Sequence, residues 1–141
     1  MDDIVVGTDG SRGAEAAVRK VIELAQGSGA TVHLVCAFAS PGMLERLGMT
    51  ARQESVDMRG VAADVLARDQ RRLEEAGFQV QTYARAGDPA DTILDVAGEA
   101  KAGLIAVGAR GHTGLRRFVL GSVSSKLAHH TPTSLLIVHE D

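Results

Sequence analysis

Leu104-Ile105-Ala106-Val107 runs straight into Gly108-Ala109-Arg110-Gly111, and after nine intervening residues the chain reads Gly121-Ser122. The apolar run has no polar interruption, which marks a strand buried on both faces inside a parallel sheet. Gly108 to Leu120 is a glycine- and arginine-bearing loop, and a helix is predicted from about Gly121 to His130, stopped by Pro132. A strand, a loop and a helix start in that order aim backbone N–H groups at one point, which favours an anion. Glycine lets phosphate oxygens reach the main chain without a Cβ in the way. Ser122 and Ser124 add hydroxyl donors. No Gly-Lys-Ser/Thr closes the loop, so it is not a Walker A loop, and it lacks the dinucleotide Gly-x-Gly-x-x-Gly spacing.

The rest of the chain alternates strands and helices around this segment. Ile4-Val5-Val6 is a buried strand, and Gly7-Thr8-Asp9-Gly10-Ser11 is a turn into a helix that Asp9 or Ser11 can cap. Ala14, Ala17, Val18, Val21, Leu24 and Ala25 recur at helical spacing, and Gly27 and Gly29 end that helix. Val32 to Phe38 is a second strand, broken by Ser40-Pro41-Gly42. A loop or short helix with Met43, Leu44, Leu47 and Met49 follows, readable as a lid, a dimer contact or a helix covering the sheet. Val61, Ala62, Val65, Leu66, Leu73 and Ala76 mark a long helix ended by Gly77. Phe78, Val80, Thr82 and Ala84 alternate with Gln79, Gln81, Tyr83 and Arg85, the period of a partly solvated edge strand. Asp88-Pro89 starts another helix, with Asp91 in its first turn and Ile93, Leu94 and Ala97 on its buried face. Leu135 to Val138 is the last strand.

This order predicts an α/β fold: one domain over residues 1–141, a five-stranded parallel sheet in the order 3-2-1-4-5, and helices on both faces joined by right-handed crossovers. The winding reverses between strands 1 and 4, where such sheets bind ligands at the carboxyl ends of the strands. The Thr8-Asp9 turn and the Gly108 loop then face each other. The last strand falls at an edge yet is wholly apolar. An apolar edge invites pairing, so a symmetric homodimer through Leu135 and Ile137 is expected.

Of the 141 residues, 45% are hydrophobic and 23% charged, enough for a core built from Val, Leu, Ile and Ala, since Trp is absent and aromatics are few. A formal charge of −3 excludes a generally basic nucleic-acid or anionic-membrane binder. The lone Cys36 cannot form an intrachain disulfide. Met1-Asp2-Asp3 is acidic where a secretion signal is basic, and no apolar run is long enough to span a bilayer, so a cytoplasmic protein is expected.

The spacing Gly-x2-Gly-x9-Gly-Ser resembles the ATP-binding signature of the universal stress protein family. Ile4 to Ser11 resembles that family's opening strand and turn, Leu104 to Gly108 its fourth strand, and Ser134 to Val138 its last. The resemblance covers nearly the whole chain and is weakest from Ala39 to Ser55. It implies a stress-response regulator that binds ATP, with Mg²⁺. Gly108, Gly111, Gly121, Ser122 and Ser124 match positions that hold ribose and phosphates; Val123 lies between the two serines, and Arg110 adds positive charge near the phosphates, where a guanidinium can bind in a bidentate way. Asp9 matches the acidic residue that meets the ribose hydroxyls or the metal, with Thr8 beside it. Val35, Cys36 and Ala37 match the stretch lining the adenine. One departure is Gly7, where many relatives have Pro.

Several residues admit a simpler reading. Arg116 and Arg117 suit a solvated loop face as well as a phosphate contact, and Phe118 and Leu120 read as anchors. His129-His130 suits a helix C-terminus better than a metal, since adjacent helical residues point apart. Cys36 reads as a small buried apolar residue that can also touch the base. Slow ATP hydrolysis or phosphotransfer is the first alternative function, but Asp9 lacks a clear acidic partner near the loop. A nucleotide-free interaction module is the second.

Overall fold

The computed structural model describes residues 2–46, 48, 57–111 and 120–140. Strand β1 (Ile4–Gly7) is buried along its whole length, and its alternate side chains feed two cores. Ile4 and Val6 join Val32 and Leu34 on one face, and Val5 joins Val35, Ile105 and Val107 on the other. Each such fully buried side chain contributes about 1.5–3 kcal/mol of transfer free energy. The other strands are β2 (Thr31–Phe38), β3 (Gln79–Ala86), β4 (Leu104–Gly108) and β5 (Ser134–Val138). Among the described residues they form one sheet in the order β3-β2-β1-β4-β5, all pairs parallel.

The first core is covered by α1 (Arg12–Ala25) and the long α3 (Met58–Glu75). The second is covered by α4 (Pro89–Ala100) and α5 (Ser122–His130). This is the α/β arrangement and strand order expected. The loop or short helix expected after β2 is a helix, α2 (Pro41–Arg46), whose Met43 N–H donates to Ser40 Oγ at 3.3 Å. Leu47 and Met49 lie outside the described residues, as does the side chain of Leu44.

Three residues depart from the faces on which their spacing groups them. Leu24 and Val61 fit the helical spacing, but they lie on the flanks of their helices and are 58% and 54% exposed. The buried stripes run instead through Ala14, Ala17, Val18 and Val21, and through Ala62, Leu66, Asp69 and Leu73. On β3, Thr82 is exposed, while Tyr83 turns inward over the buried His33, to which its hydroxyl bonds at 2.8 Å. His33 Nε2 meets Asp3 at 3.0 Å.

Small residues bring α1 against the end of β4. A Cβ on Gly108 would lie 2.5 Å from the Gly13 carbonyl carbon and 2.6 Å from its oxygen. One on Gly13 would collide with the Arg110 carbonyl. Gly7 likewise leaves room for Ile93 and Val107 where a Cβ would strike the Ile93 side chain. The contact between Gly13 and Gly108 is backbone on backbone and cannot yield as a side chain would. Gly108→Ala should therefore lower unfolding stability by about 1–3 kcal/mol, read from urea denaturation. An unchanged midpoint would contradict this packing.

Candidate functional site

A cavity of about 220 Å³ opens at the carboxyl ends of β1 and β4, where the winding of the sheet reverses. Gly7, Thr8 and Asp9 border it on one side, and Gly108 to Gly111 on the other. Val35 and Ala37 of β2 and Ile93 of α4 supply apolar wall, and Gly121 to Ser124 bring the start of α5.

The loop after β4 is tied down through one carbonyl. Ala109 N–H donates to Val138 O at 2.8 Å, extending the ladder by a residue. Ala109 O then accepts from Gly121 N at 2.7 Å and from Ser124 Oγ at 2.8 Å. The Ser124 hydroxyl also reaches Gly121 O at 3.1 Å, and the residue is buried. Ser124 therefore fastens α5 to the strand end and spends its proton on main-chain carbonyls. Ser122, by contrast, is exposed on the cavity wall.

The helix starts differ in how they are capped. Ser11, Asp57 and Asp88 each accept a first-turn N–H of α1, α3 and α4. Gly121, the N-cap of α5, makes no side-chain cap bond. The first turn of α5 thus brings main-chain N–H dipoles to the cavity with no capping side chain among the described residues.

Asp9 lines the same cavity. Its Oδ1 accepts from Ser11 N at 2.9 Å. A Cβ on Gly111 would lie 2.6 Å from its Oδ2, so glycine is what lets the carboxyl group come this close to the loop. Arg110 is half-buried and donates from Nη2 to Glu140 at 3.3 Å, which orients its guanidinium along the cavity rim. Lys126, in the middle of α5, bridges Asp88 and Asp91 at 3.1 and 3.0 Å and so ties α5 to the start of α4.

The structure brings Thr8, Asp9, Val35, Ala37, Gly108, Arg110, Gly111, Gly121, Ser122, Val123 and Ser124 to one cavity. Cys36 is the exception. Strand alternation sends its side chain to the opposite face, into the core under α3. Burial, followed by the nearby carboxyl groups of Asp9 and Asp69, pushes its thiol up to about 11. Pro89, Ile93 and Val107 also line the cavity and were not singled out from the sequence. Crossover logic could have found the first two, because the helix after β3 must begin at the same end of the sheet. Arg116, Arg117 and Phe118 lie outside the described residues, while Leu120 is half-buried and His129 and His130 are exposed. Among the described residues no cluster of three His, Cys, Asp or Glu could hold a metal, and no helix is long and apolar enough to cross a membrane.

Residues 1–139 match the profile of the Universal stress protein family. The chain belongs to that family. It is 33% identical over 141 residues to the universal stress protein Rv1636 of Mycobacterium tuberculosis, covering 96% of this chain and 94% of the relative. A solved universal stress protein in complex with cAMP is similar at 29% identity and a TM-score of 0.70, over 98% of this chain and 96% of that one. The structure of the hypothetical protein MJ0577 shares the fold at a TM-score of 0.87 and 22% identity, over 99% and 96% of the two chains. Helices on both faces of the 3-2-1-4-5 sheet are thus how this universal stress protein frames its cavity.

Two measurements check the geometry around the site. With its thiol raised to about 11 and buried, Cys36 should react with a disulfide reagent at pH 8 far more slowly in the folded chain than in urea; equal rates would contradict its placement. Asp88→Ala should cost about 1 kcal/mol at neutral pH through the lost helix cap. The Asp91 N–H, and after it Lys126, hold the Asp88 carboxyl below its ordinary range. A carboxyl lowered on folding stabilises above its unfolded pKa, and that contribution is lost as pH falls through the folded value. The difference between Asp88→Ala and wild type should accordingly shrink in acid, and a gap that widened there would contradict the assignment.

Proposed function

We propose that this chain is a regulatory protein of the stress response that binds an adenine nucleotide, ATP with Mg²⁺, in the cavity between β1 and β4. One observation carries the reading: among the described residues α5 begins at the cavity without a side-chain cap, with glycines and Asp9 lining the same cavity. Phosphate oxygens supply the missing acceptors. Gly108, Gly111 and Gly121 admit them to the main chain, and the N–H groups of Ser122 and Val123 with the Ser122 hydroxyl bind them. Val35, Ala37 and Ile93 form the apolar wall for the base. Asp9 meets ribose hydroxyls or the metal. Mg²⁺ commonly takes one carboxylate and leaves its other positions to phosphate and water, which suits a single acidic residue. The cAMP complex of a solved relative supports an adenine nucleotide as the ligand class.

Binding rather than turnover is the reading favoured, because Asp9 is the one carboxyl among the described cavity-lining residues. At a hundred times its dissociation constant the nucleotide would stabilise the folded chain by about 2.7 kcal/mol. Occupancy would then report the cellular nucleotide pool to a partner.

We also propose a homodimer through β5. Among the described residues that strand pairs with β4 alone, and Leu135, Leu136 and Ile137 are half-buried in the single chain. A second copy would cover them and complete the edge hydrogen bonds.

Denaturing the purified protein should release adenine nucleotide identifiable by mass spectrometry. Gly121→Val, which puts a branched side chain 3.2 Å from the Ala109 carbonyl, should weaken ATP binding about tenfold or more by calorimetry. Asp9→Ala should weaken it most clearly with Mg²⁺ present. ATP affinity unaltered by Gly121→Val would overturn the loop assignment. Ile137→Glu should run as a monomer in sedimentation, and a persisting dimer would remove β5 as the seam.

A further inference from the structure

Asp69 is fully buried on the inward face of α3, between Leu66 and Leu73. Its Oδ2 accepts from the Thr8 hydroxyl at 2.7 Å. Its Oδ1, equally buried, has no hydrogen-bond partner among the described residues, and the Arg68 Nε stands 3.7 Å away. A buried carboxyl oxygen left without a hydrogen bond costs stability. An apolar side chain at this position would join α3 to the core without that cost.

The one short bond that Asp69 makes leads to the cavity. The Thr8 hydroxyl has a single proton, and giving it to Asp69 turns a lone pair toward the Gly10 N–H, which donates to it at 3.2 Å. Gly10 has φ +79, and its carbonyl accepts from Arg68 Nη2 at 3.3 Å. Consecutive residues of α3 therefore hold both the N–H side and the C=O side of Gly10. The turn so held carries Asp9, whose carboxyl group accepts the next N–H, from Ser11. Thr8 and Asp9 both line the cavity, whereas Asp69 does not.

We propose that Asp69 is a positioning residue: through Thr8 it holds the turn after β1 in the shape that receives the nucleotide, at a cost to fold stability. This rests on the nucleotide-binding reading above. It also deepens that reading, because a link between turn and helix works in both directions. Nucleotide in the cavity tightens α3, and disturbance of α3 loosens the nucleotide. The helix becomes the element through which occupancy is transmitted to the outer surface.

The test uses the full chain with Asp69→Leu, Thr8→Val and both together; leucine removes the acceptor that asparagine would keep. Without nucleotide, the melting temperature of Asp69→Leu should stay level or rise. Its amide hydrogen exchange at Gly10 should accelerate. ATP affinity by calorimetry should fall about fivefold or more in each single variant, and no further in the double, because one path is cut twice. A folded Asp69→Leu that binds ATP as wild type does would overturn the proposal. So would a lowered melting temperature with affinity losses that add, which is the mark of packing alone, or a failure of Asp69→Leu to fold. If wild type binds no adenine nucleotide, the parent reading falls, and unchanged exchange at Gly10 would dispose of the positioning role separately.

Discussion

The first turn of α1 rests on the end of β4 with no side chain between them. Gly13 and Gly108 meet main chain to main chain, and a methyl group on either would overlap the other's backbone or the Arg110 carbonyl. This contact sets the distance between the turn after β1 and the loop after β4. It brings the Asp9 carboxyl group against Gly111 and leaves a cavity where the two connections diverge. The parallel sheet alone would place both connections at one end. The missing Cβ atoms turn that neighbourhood into a site.

The site is built mostly of backbone. Several side chains that look like ligand groups in the sequence serve as fasteners in the fold. Ser124 staples α5 to Ala109, Arg110 is paired to Glu140, and Thr8 is bound to Asp69. What these fasteners hold in place is a helix start without a side-chain cap and a run of glycines. Such an arrangement recognises negative oxygen by position and dipole more than by formal charge. It accords with a protein of formal charge −3 whose described cavity-lining residues include one basic side chain, Arg110.

The strand order was legible because β4 is apolar throughout, as suits an inner strand, β3 alternates, as suits an edge, and the alternation of strands with helices prescribes a doubly wound sheet. The cavity residues on β1, β4 and α5 were legible because glycines cluster at the carboxyl ends of β1 and β4, where a Cβ would strike neighbouring chain. Cys36 was misplaced toward the base because three successive strand residues were treated as one wall, although a pleated strand sends its neighbours to opposite faces. Leu24 and Val61 showed that helical spacing alone does not settle which edge of an apolar stripe is covered. Asp69 passed unnoticed, yet its spacing to Leu66 and Leu73 puts it on the buried face of α3. A carboxyl group on such a stripe was the available signal.

The central claim is that main-chain N–H groups at the start of α5 take the phosphates of an adenine nucleotide. Backbone amide resonances followed during titration with AMP, ATP and adenosine test it directly. The account predicts that Gly111, Ser122 and Val123 shift with AMP and ATP and stay in place with adenosine. Nucleotides that leave those three amides unmoved would contradict it.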